Sequence, residues 1–485
     1  MAICVSVCQT VTGTLRLRVI LKRFWSCAVT EGFVDCKTKR RRSVKKKKGN
    51  SLLTCDDSHF SLEERLAEAV TPLWRMSYEK QLQIKYEVQK KTLQFLDAHL
   101  IQKKCLQQPN SQNQQQLSFP LLPTMPSPVL EGYRNKSTFS VNKGPDGNPK
   151  TVGFYIGTGK GQNIVCVHAD HLLNLPEKHK QVATYYEQFI QQSPLESCIL
   201  FHKGGHWREI TVRTSSLGDT MAIVYFHPQN LKQDEIQPHK ESLVNFFTRG
   251  AGAACQLTSL YFQESSMTRS TNEQAPYQLL YGKPHIYEEI QELKFRISPD
   301  AFFQVNTFGA EALFKTVRDA SQSDKSSTLL DVCCGTGAIG LSLSKDFKNI
   351  IGIELIEQAI EDAKYNASLN GILNCHFLAG KAEVILPQLL LPLYPSVPHV
   401  AVVNPSRAGL HYRVIRAIRN CTSIRKLVYI SCKPDGEAMK NFIELCGPPD
   451  PKKKLFGNSF VPTLAIPIDM FPHTLHCELI IIFER

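Results

Sequence analysis

The chain has 485 residues, 42% hydrophobic and 21% charged, which is the composition of a globular protein with room for two or three domains. Its formal net charge of +13 comes mainly from residues 1–48, which hold thirteen Lys and Arg against two acids, so residues 49–485 carry only +2. This distribution excludes a uniformly basic body, and any RNA-binding surface on the folded part must be a local patch.

The sixteen cysteines form no C-x-x-C pair and have no histidines at metal-ligand spacing. We therefore expect no disulfide scaffold, no metal site and no iron–sulfur cluster, and free thiols predict a reducing, intracellular compartment. The longest uncharged apolar run, residues 384–406, contains five prolines, which a membrane-spanning helix does not tolerate. We expect no contact with a membrane, and the sequence implies no protein partner.

Residues 1–60 are predicted to be a basic targeting segment without fixed structure. The first acid is Glu31, and the basic residues that precede it are Arg16, Arg18, Lys22 and Arg23. A basic, hydroxylated and acid-poor composition is typical of an organellar transit peptide, so we expect the mitochondrial matrix. The basic cluster at 37–48 leaves a nuclear address open as the alternative.

A helical segment and a linker are predicted for residues 61–125. Ser61 and Glu64 have the spacing of a capping box, which predicts the start of a helix. Apolar and aromatic residues recur at steps of three, four or seven between Trp74 and Leu100, which predicts a second helix that we interpret as packed on its own domain. The glutamine-rich stretch 107–116 is typical of a linker.

Short strands separated by turns are predicted for residues 126–295, which indicates a mainly antiparallel β (α+β) domain. Near its start, one run places an aromatic ring, two cations and an amide side by side: Tyr133, Arg134, Asn135 and Lys136. Such side chains suit base stacking and phosphate contact, so these four are candidate RNA-binding residues. A solvated turn is an equally acceptable interpretation of so short a pattern.

The run L-L-D-V-C-C-G-T-G-A-I-G-L at 329–341 predicts a buried strand, a tight glycine turn and the start of a helix. Gly335 and Gly337 allow the backbone to turn sharply and a ligand to approach closely. A second predicted strand ends at Glu354, where a carboxylate can accept hydrogen bonds from both ribose hydroxyls. The pattern predicts a nucleoside-cofactor pocket, but it also fits a nicotinamide dinucleotide.

Four further polar motifs flank predicted elements in the catalytic half, residues 296–485. They are F-Q-V-N from Phe303, N-P-S-R from Asn404, S-C-K-P from Ser431 and H-C-E from His476. In an alternating α/β segment, the carboxyl ends of the strands line one crevice, which is the usual ligand site of such sheets.

Taken in this order, with Y-R-N-K before them, the motifs resemble those of the RNA uracil-C5 methyltransferase family, from about Trp74 to the C-terminus. The resemblance implies an α/β protein with a C-terminal Rossmann-like methyltransferase domain at 296–485 and a preceding mainly antiparallel β RNA-binding domain. It implies S-adenosyl-L-methionine as the cofactor and RNA as the partner. The expected product is 5-methyluridine at the T-loop uridine of mitochondrial tRNA, with an rRNA uridine as a possible further substrate.

The resemblance also assigns roles to single residues. It places the cofactor contacts on Gln304, Asp331, Gly335, Gly337, Glu354 and Asn404. It places the nucleophile on Cys432 and the base that accepts the C5 proton on Glu478. Two motifs depart from the family pattern: Asn404-Pro405-Ser406-Arg407 stands where the family usually has Asp-Pro-Pro-Arg, and Lys433 stands where it usually has an asparagine.

The proposed chemistry explains why these residue types are needed. Uracil C5 is a weak nucleophile until a thiolate, here Cys432, adds to C6 and pushes electrons onto C5. A general base, Glu478, must then remove the C5 proton so that the thiolate can leave. Arg407 is a candidate for stabilising negative charge on the uracil carbonyl, and the target base must first leave its stack.

Three other functions remain open from the sequence. The G-x-G-x-x-G spacing fits a nicotinamide-dependent oxidoreductase, although that leaves the Cys432–Glu478 pair without a role. Asn404-Pro405 is similar to the motif of adenine N6-methyltransferases, although Arg407 stands where an aromatic residue would stack on the base. A catalytically weak or inactive RNA-binding protein of the same fold is the third.

Overall fold

The computed structural model describes residues 60–103, 105–106, 117–157, 164–198, 204–265, 275–322, 325–390 and 399–485. The predicted targeting segment, apart from Phe60, and the glutamine-rich stretch 107–116 lie outside these residues. Among the helices that are described, none is both long and apolar enough to cross a membrane.

Two helices precede the sheets: α1, Leu62–Val70, and α2, Tyr78–Gln102. The predicted capping box is present, since the Ser61 hydroxyl accepts from the Glu64 amide and the Glu64 carboxylate accepts from the Ser61 amide. Helix α2 does not pack on a domain of its own. Its buried leucines belong to the same hydrophobic core as the strands of the C-terminal half, so this helix is part of that half.

The first sheet has seven strands: β1 Lys136–Asn142, β2 Thr151–Ile156, β3 Val165–Val167, β4 Trp207–Thr214, β5 Thr220–Phe226, β6 Ser259–Glu264 and β7 Gln278–Gly282. Their order is β3-β2-β1-β4-β5-β6-β7. All neighbours are antiparallel except β5 and β6, which are parallel. The expectation of a mainly antiparallel sheet is therefore confirmed.

Two helices cover this sheet: α3, Glu177–Gln192, and α4, Gln233–Thr248. The sequence analysis assigned strands and turns to residues 126–295 and did not predict these two helices. Their buried positions follow helical spacing, as Val182, Tyr186 and Phe189 show in α3, so the period was present in the sequence but was masked by many polar residues. A helix covering one face of a sheet needs only a narrow apolar stripe.

A short hairpin joins the two halves: β8, Ile286–Ile290, and β9, Leu293–Ile297. Glu288, buried in β8, accepts from the Ser216 amide and from the Thr307 hydroxyl. The Arg213 guanidinium donates to the carbonyls of Ser298 and Ala301. These buried contacts connect the first sheet to the beginning of the C-terminal half.

The second sheet contains β10 Thr328–Val332, β11 Asn349–Glu354, β12 Cys375–Ala379, β13 His399–Val403, β14 Ile424–Ser431, β15 Val461–Ile468 and β16 Glu478–Glu484. The order is β12-β11-β10-β13-β14-β16-β15. The first five are parallel, whereas β16 runs antiparallel to both β14 and β15. This doubly wound sheet confirms the predicted Rossmann-like class for the C-terminal half.

Helices cover both faces of the second sheet: α5 Thr307–Ser321, α6 Ala338–Ser342, α7 Glu357–Leu369, α8 Ala382–Leu390, α9 Tyr412–Asn420 and α10 Glu437–Cys446. Alternate residues of the central strands enter separate cores. Leu329 packs on one face, while Leu330 and Val332 pack on the other. Burial on both faces explains why β10 and β13 are mostly apolar, with Asp331 as an exception inside β10.

Candidate active site

The antiparallel register of β14 and β16 brings the proposed nucleophile and base together. Ser431 lies opposite Leu479, so the next position places Cys432 beside Glu478. Cys432 follows the carboxyl end of β14, and Glu478 begins the antiparallel β16, so both lie at the edge where β10 and β13 also end. The sheet therefore places the thiol and the carboxyl side by side near the glycine turn.

Glu478 has the environment of a general base that works near neutral pH. Its side chain is buried, and burial raises its pKa to about 7, although the positive charge of Arg407 opposes the shift. A carboxyl with this pKa exchanges a proton readily at physiological pH.

Cys432 is half-buried, with an acid and a cation beside it. Burial and the neighbouring Glu478 charge raise the pKa of its thiol, whereas a hydrogen bond to Arg407 and the charge of that guanidinium lower it. Arg407 itself is exposed at the edge of the sheet. The structure thus brings together the three residues that the sequence analysis named as catalytic candidates.

The loop that bears Arg407 is held by the start of α10. Asn441 accepts from the Leu410 amide at 2.7 Å and donates to the Leu410 carbonyl at 3.0 Å. Gly409 has φ +68°, and a Cβ there would lie 2.8 Å from the Asn441 Oδ1 atom. A glycine is needed at this point because the backbone is left-handed and tightly packed.

The loop that precedes Glu478 is fixed by a buried ion pair with helix α2. Lys85 Nζ lies 2.5 Å from Asp469 Oδ1, both side chains are fully buried, and Lys85 also donates to the Phe471 carbonyl at 2.9 Å. The Tyr78 hydroxyl donates to Asp469 Oδ2 at 3.0 Å. Burial lowers the pKa of Lys85, and its pairing with Asp469 opposes that shift.

Two more contacts hold the same loop. The Gln81 Oε1 atom accepts from the His473 amide at 2.8 Å, and the Tyr133 hydroxyl donates to the Pro472 carbonyl at 3.0 Å. Sequence reasoning missed this role of α2 because its partners lie almost 400 residues away in the chain. A lysine on the apolar side of a predicted helix was the available signal.

The glycine turn after β10 has the predicted geometry. Cys333 has φ +65°, Gly335 φ +55° and Gly337 φ +80°. The Gly335 amide donates to Glu354 Oε2 at 3.1 Å, so the carboxylate at the end of β11 lies against the turn. Nothing lies within 4 Å of the position that a Cβ on Gly335 would occupy, which leaves open space for a ligand.

Asp331 lies beneath this turn. Its Oδ2 atom accepts from the Gly340 amide at 3.0 Å, while among the described residues its buried Oδ1 atom has no hydrogen-bond partner. Burial raises the pKa of this carboxyl to about 7, with the nearby Glu354 charge adding to the shift. An unpartnered buried acceptor beside an open turn fits a site that takes a polar ligand.

Asn404 lies beside this turn, whereas Gln304 contacts the run at 133–136. The Asn404 amide donates to the Val332 carbonyl at 3.2 Å, which places Asn404 at the end of β13, directly beside the strand that leads into the turn. Gln304 is half-buried, and its carbonyl accepts from the Asn135 side chain at 2.8 Å. In the described ranges, no group of three His, Cys, Asp or Glu side chains is arranged to hold a metal ion.

Comparisons with known proteins identify the family. Residues 323–393 match a model described as a methyltransferase domain. A tRNA (uracil-5-)-methyltransferase homolog B from Danio rerio is 62% identical, with 93% of this chain and 92% of the relative covered. The homolog B from Homo sapiens is 58% identical, with 88% and 84% covered. This chain belongs to the tRNA (uracil-5-)-methyltransferase family.

A solved structure supports the fold of this tRNA (uracil-5-)-methyltransferase family member. The Pyrococcus abyssi tRNA (uracil-54, C5)-methyltransferase in complex with S-adenosyl-L-homocysteine superposes with a TM-score of 0.61 at 21% identity. The match covers 85% of this chain and 84% of that chain. At this identity the likeness concerns the architecture alone.

In this family member, the predicted RNA-binding run at 133–136 lies against the F-Q-V-N motif. The backbones of Arg134 and Asn306 form an isolated antiparallel β-bridge, and the Asn135 side chain also donates to the Thr307 hydroxyl at 3.0 Å. Tyr133 is only 5% exposed, so its ring is not available to stack on a base. Arg134 and Lys136 are half-buried, and their contact with RNA stays a prediction.

One exposed aromatic residue directly precedes the F-Q-V-N motif. Phe302 is 64% exposed, although its neighbours Ala301 and Phe303 are buried. It precedes Gln304 by two residues, and the nearby Asp300 is exposed as well. The sequence alone does not predict that this phenylalanine is exposed, because exposure is set by the tertiary contacts.

Proposed function

We propose that this protein forms 5-methyluridine in RNA through a covalent bond between the Cys432 sulfur and uracil C6, with S-adenosyl-L-methionine as methyl donor. The observation that supports it most directly is the Cys432–Glu478 pair at the edge of the sheet, next to the glycine turn. The names of the relatives agree with the reaction, since they are tRNA (uracil-5-)-methyltransferases.

The described residues fit the nucleoside cofactor. Glu354 offers a carboxylate to the ribose hydroxyls, and the open space beside Gly335 admits the cofactor. Asp331 offers a buried acceptor, Oδ1, that has no partner among the described residues. Asn404 would contribute an amide and Gln304 a second one. When bound, S-adenosyl-L-methionine supplies an electrophilic methyl group.

The reaction begins and ends at Cys432. Its thiolate adds to C6 of the uracil, which breaks the C5–C6 double bond and makes C5 a nucleophilic enolate carbon. Arg407, beside the thiol, stabilises the ionised sulfur before the addition. After C5 has been methylated, Glu478 accepts the C5 proton, the C5–C6 double bond returns, and the sulfur leaves as thiolate.

The raised pKa of Glu478 suits this last step. A carboxylate with an ordinary pKa is a weak base for a carbon-bound proton, whereas burial makes the ionised form of Glu478 more basic.

The proposed substrate is the T-loop uridine 54 of mitochondrial tRNA, with a mitochondrial rRNA uridine as an addition. The tRNA part is supported by the relatives' names, and the mitochondrial part by the basic, acid-poor segment that precedes Glu31. Mapping 5-methyluridine in mitochondrial RNA of cells with and without the protein tests both substrates. A reporter fused to residues 1–60 that stays outside mitochondria would contradict the location.

RNA that contains 5-fluorouridine tests the covalent step. The fluorine at C5 cannot be removed as a proton, so we expect the wild-type protein to remain bonded to this RNA after methylation, whereas Cys432→Ala forms no adduct and does not methylate. Cys375→Ala is the matched control, because Cys375 is also half-buried but lies on the edge strand β12. A Cys432→Ala protein that still methylates uridine would refute the proposal.

A further inference from the structure

The positive charge of the folded body is concentrated in one segment, and the mechanism uses only Arg407 among its cations. Residues 407–460 contain eleven Lys and Arg against four Asp and Glu, a net charge of +7, although residues 49–485 as a whole carry +2. The rest of the body is therefore slightly acidic. Within residues 49–485, a polyanion is therefore attracted mainly to the surface of residues 407–460.

Helix α9 presents the exposed part of this segment. Val414, Ile415 and Ile418 are buried on its inner side. On its outer side, Tyr412 is 53% exposed and Arg413 is exposed as well. The helix therefore shows an aromatic ring and cations to the solvent on one side only.

A loop rich in lysine lies beside the end of α9. The Asn420 side chain donates to the Lys454 carbonyl at 2.9 Å and accepts from the Phe456 amide at 2.9 Å. Phe456 is 65% exposed, and Lys452 and Lys454 are exposed. The loop adds a second exposed ring and two more cations to the outer side of the helix.

The framework of this surface is fixed from below by a buried arginine. The Arg419 guanidinium donates to four carbonyls, those of Glu444, Leu445, Gly447 and Gly457. These carbonyls belong to the end of α10 and to the loop that follows it. Because α9, α10 and the loop are tied together, the surface is preorganised.

The cations of this surface are available to an external anion. In the described part of the chain, Arg413, Arg416, Lys452 and Lys454 form no ion pair with a carboxylate, in contrast to Lys453, which pairs with Glu444 at 3.0 Å. The hydrogen bond from Arg413 lowers the pKa of the Tyr412 hydroxyl, and the charges of Arg413, Arg416 and Lys454 lower it further. The charges therefore converge on one place.

The surface also continues from the catalytic edge. Helix α9 begins five residues after Arg407, in the same loop that Asn441 holds, and extends about 13 Å away from it. The cations of α9 therefore lie on a helix that starts close to the catalytic edge.

We propose that the outer side of α9 and its adjoining loop bind the phosphates of the substrate RNA beside the target uridine, with the two exposed rings stacking on unpaired bases. This α9 surface consists of Tyr412, Arg413, Arg416, Lys452, Lys454 and Phe456. The assignment rests on the proposed function, since it names the part of the enzyme that holds the RNA next to the site. Mixed aromatic and cationic surfaces suit flexible, single-stranded RNA segments.

The test is the salt dependence of RNA binding by the full chain. The triple variant Arg413→Gln/Arg416→Gln/Lys454→Gln removes three charges, and we expect its Kd for unmodified tRNA transcript to rise at least tenfold at moderate salt. The slope of log Kd against log salt should fall by about 2–3, since each lost phosphate contact removes roughly 0.7–0.9. Melting temperatures of all variants are measured in parallel to establish that they fold.

The matched control is Lys91→Gln/Lys345→Gln/Lys364→Gln, which loses the same charge at exposed positions elsewhere. We expect the control to bind tRNA like the wild type. Equal weakening in both variants would show a general charge effect and overturn the assignment, as would unchanged binding in the α9 variant. Loss of binding to anionic phospholipid vesicles, with tRNA binding retained, would make the surface a membrane site and likewise overturn it.

The proposed function is tested separately, with the RNA that contains 5-fluorouridine. A wild-type protein that forms no adduct with 5-fluorouridine RNA refutes the reaction, whatever the α9 variants do. A wild type that forms the adduct, together with an α9 variant that binds tRNA unchanged, refutes the α9 assignment alone.

Discussion

Glu478 is the residue whose protonation governs the proposed reaction. Its buried carboxyl has a pKa raised to about 7, and it must be ionised to accept the C5 proton. The Cys432 thiol, with its own pKa raised by burial, must also lose a proton before it attacks. Both ionisations therefore favour the active form at higher pH.

We expect kcat/KM to rise with pH through about 7 and to show no descending limb from this pair. The measurement is the pH–rate profile on tRNA transcript between pH 5.5 and 9, at constant ionic strength. Lys91→Gln, at an exposed position of α2, is the control and should follow the wild-type profile. Activity that falls as the pH rises through 7 would contradict the role of Glu478 as base.

At the residue scale, the catalytic candidates were predictable because each lies at or near one end of a strand within a short motif. Cys432 and Glu478 are 46 positions apart, yet Cys432 follows β14 and Glu478 begins the antiparallel β16, so both lie at the same edge of the sheet. Tyr133 was harder to interpret, because an aromatic residue beside two cations suits either a base or a buried turn. Only the tertiary contact with Pro472 shows that its ring is enclosed.

At the scale of single elements, helix α2 is the part that sequence reasoning placed least well. Its period predicted a helix correctly, but not which core receives its apolar side. The Lys85–Asp469 pair joins it to the loop before Glu478, and long-range ion pairs leave no local pattern in a sequence. The same reason explains why the role of Asp469 was not predicted.

Removing one partner of this pair should be costly. We expect Lys85→Ala to lower the free energy of unfolding by about 3–5 kcal/mol, because Asp469 would stay buried without its cation. Lys91→Ala, at an exposed position of the same helix, is the control and should change it little. Denaturant unfolding of both variants measures the difference, and equal stabilities would contradict the structural role of the pair.

Lys85→Met separates positioning from stability. A methionine has a similar length without the charge, and we expect kcat to fall more than KM for RNA rises, because the loop before Glu478 loses its anchor. Lys85→Arg, which keeps a cation, should restore part of kcat. A Lys85→Met protein with normal kcat would show that the pair only supports the fold.

At the scale of the whole molecule, the structure combines a helix-covered antiparallel sheet with a doubly wound sheet, joined by the β8–β9 hairpin. The sequence predicted the first sheet from short strands separated by turns and the second from strands that alternate with helices. It did not predict how they are joined, since the buried contacts of Arg213 and Glu288 depend on the assembled fold. The sequence likewise shows the net charge of residues 407–460 but not that part of it lies on the outer side of α9.

The most direct measurement of the central claim is the site of the covalent bond in Glu478→Gln. Without its base this variant cannot release the methylated uridine, so we expect it to accumulate a protein–RNA adduct on ordinary uridine RNA. Nuclease and protease digestion followed by mass spectrometry should find the methylated nucleotide on the peptide that contains Cys432. A nucleotide on any other cysteine, or turnover at the wild-type rate without an adduct, would contradict the account.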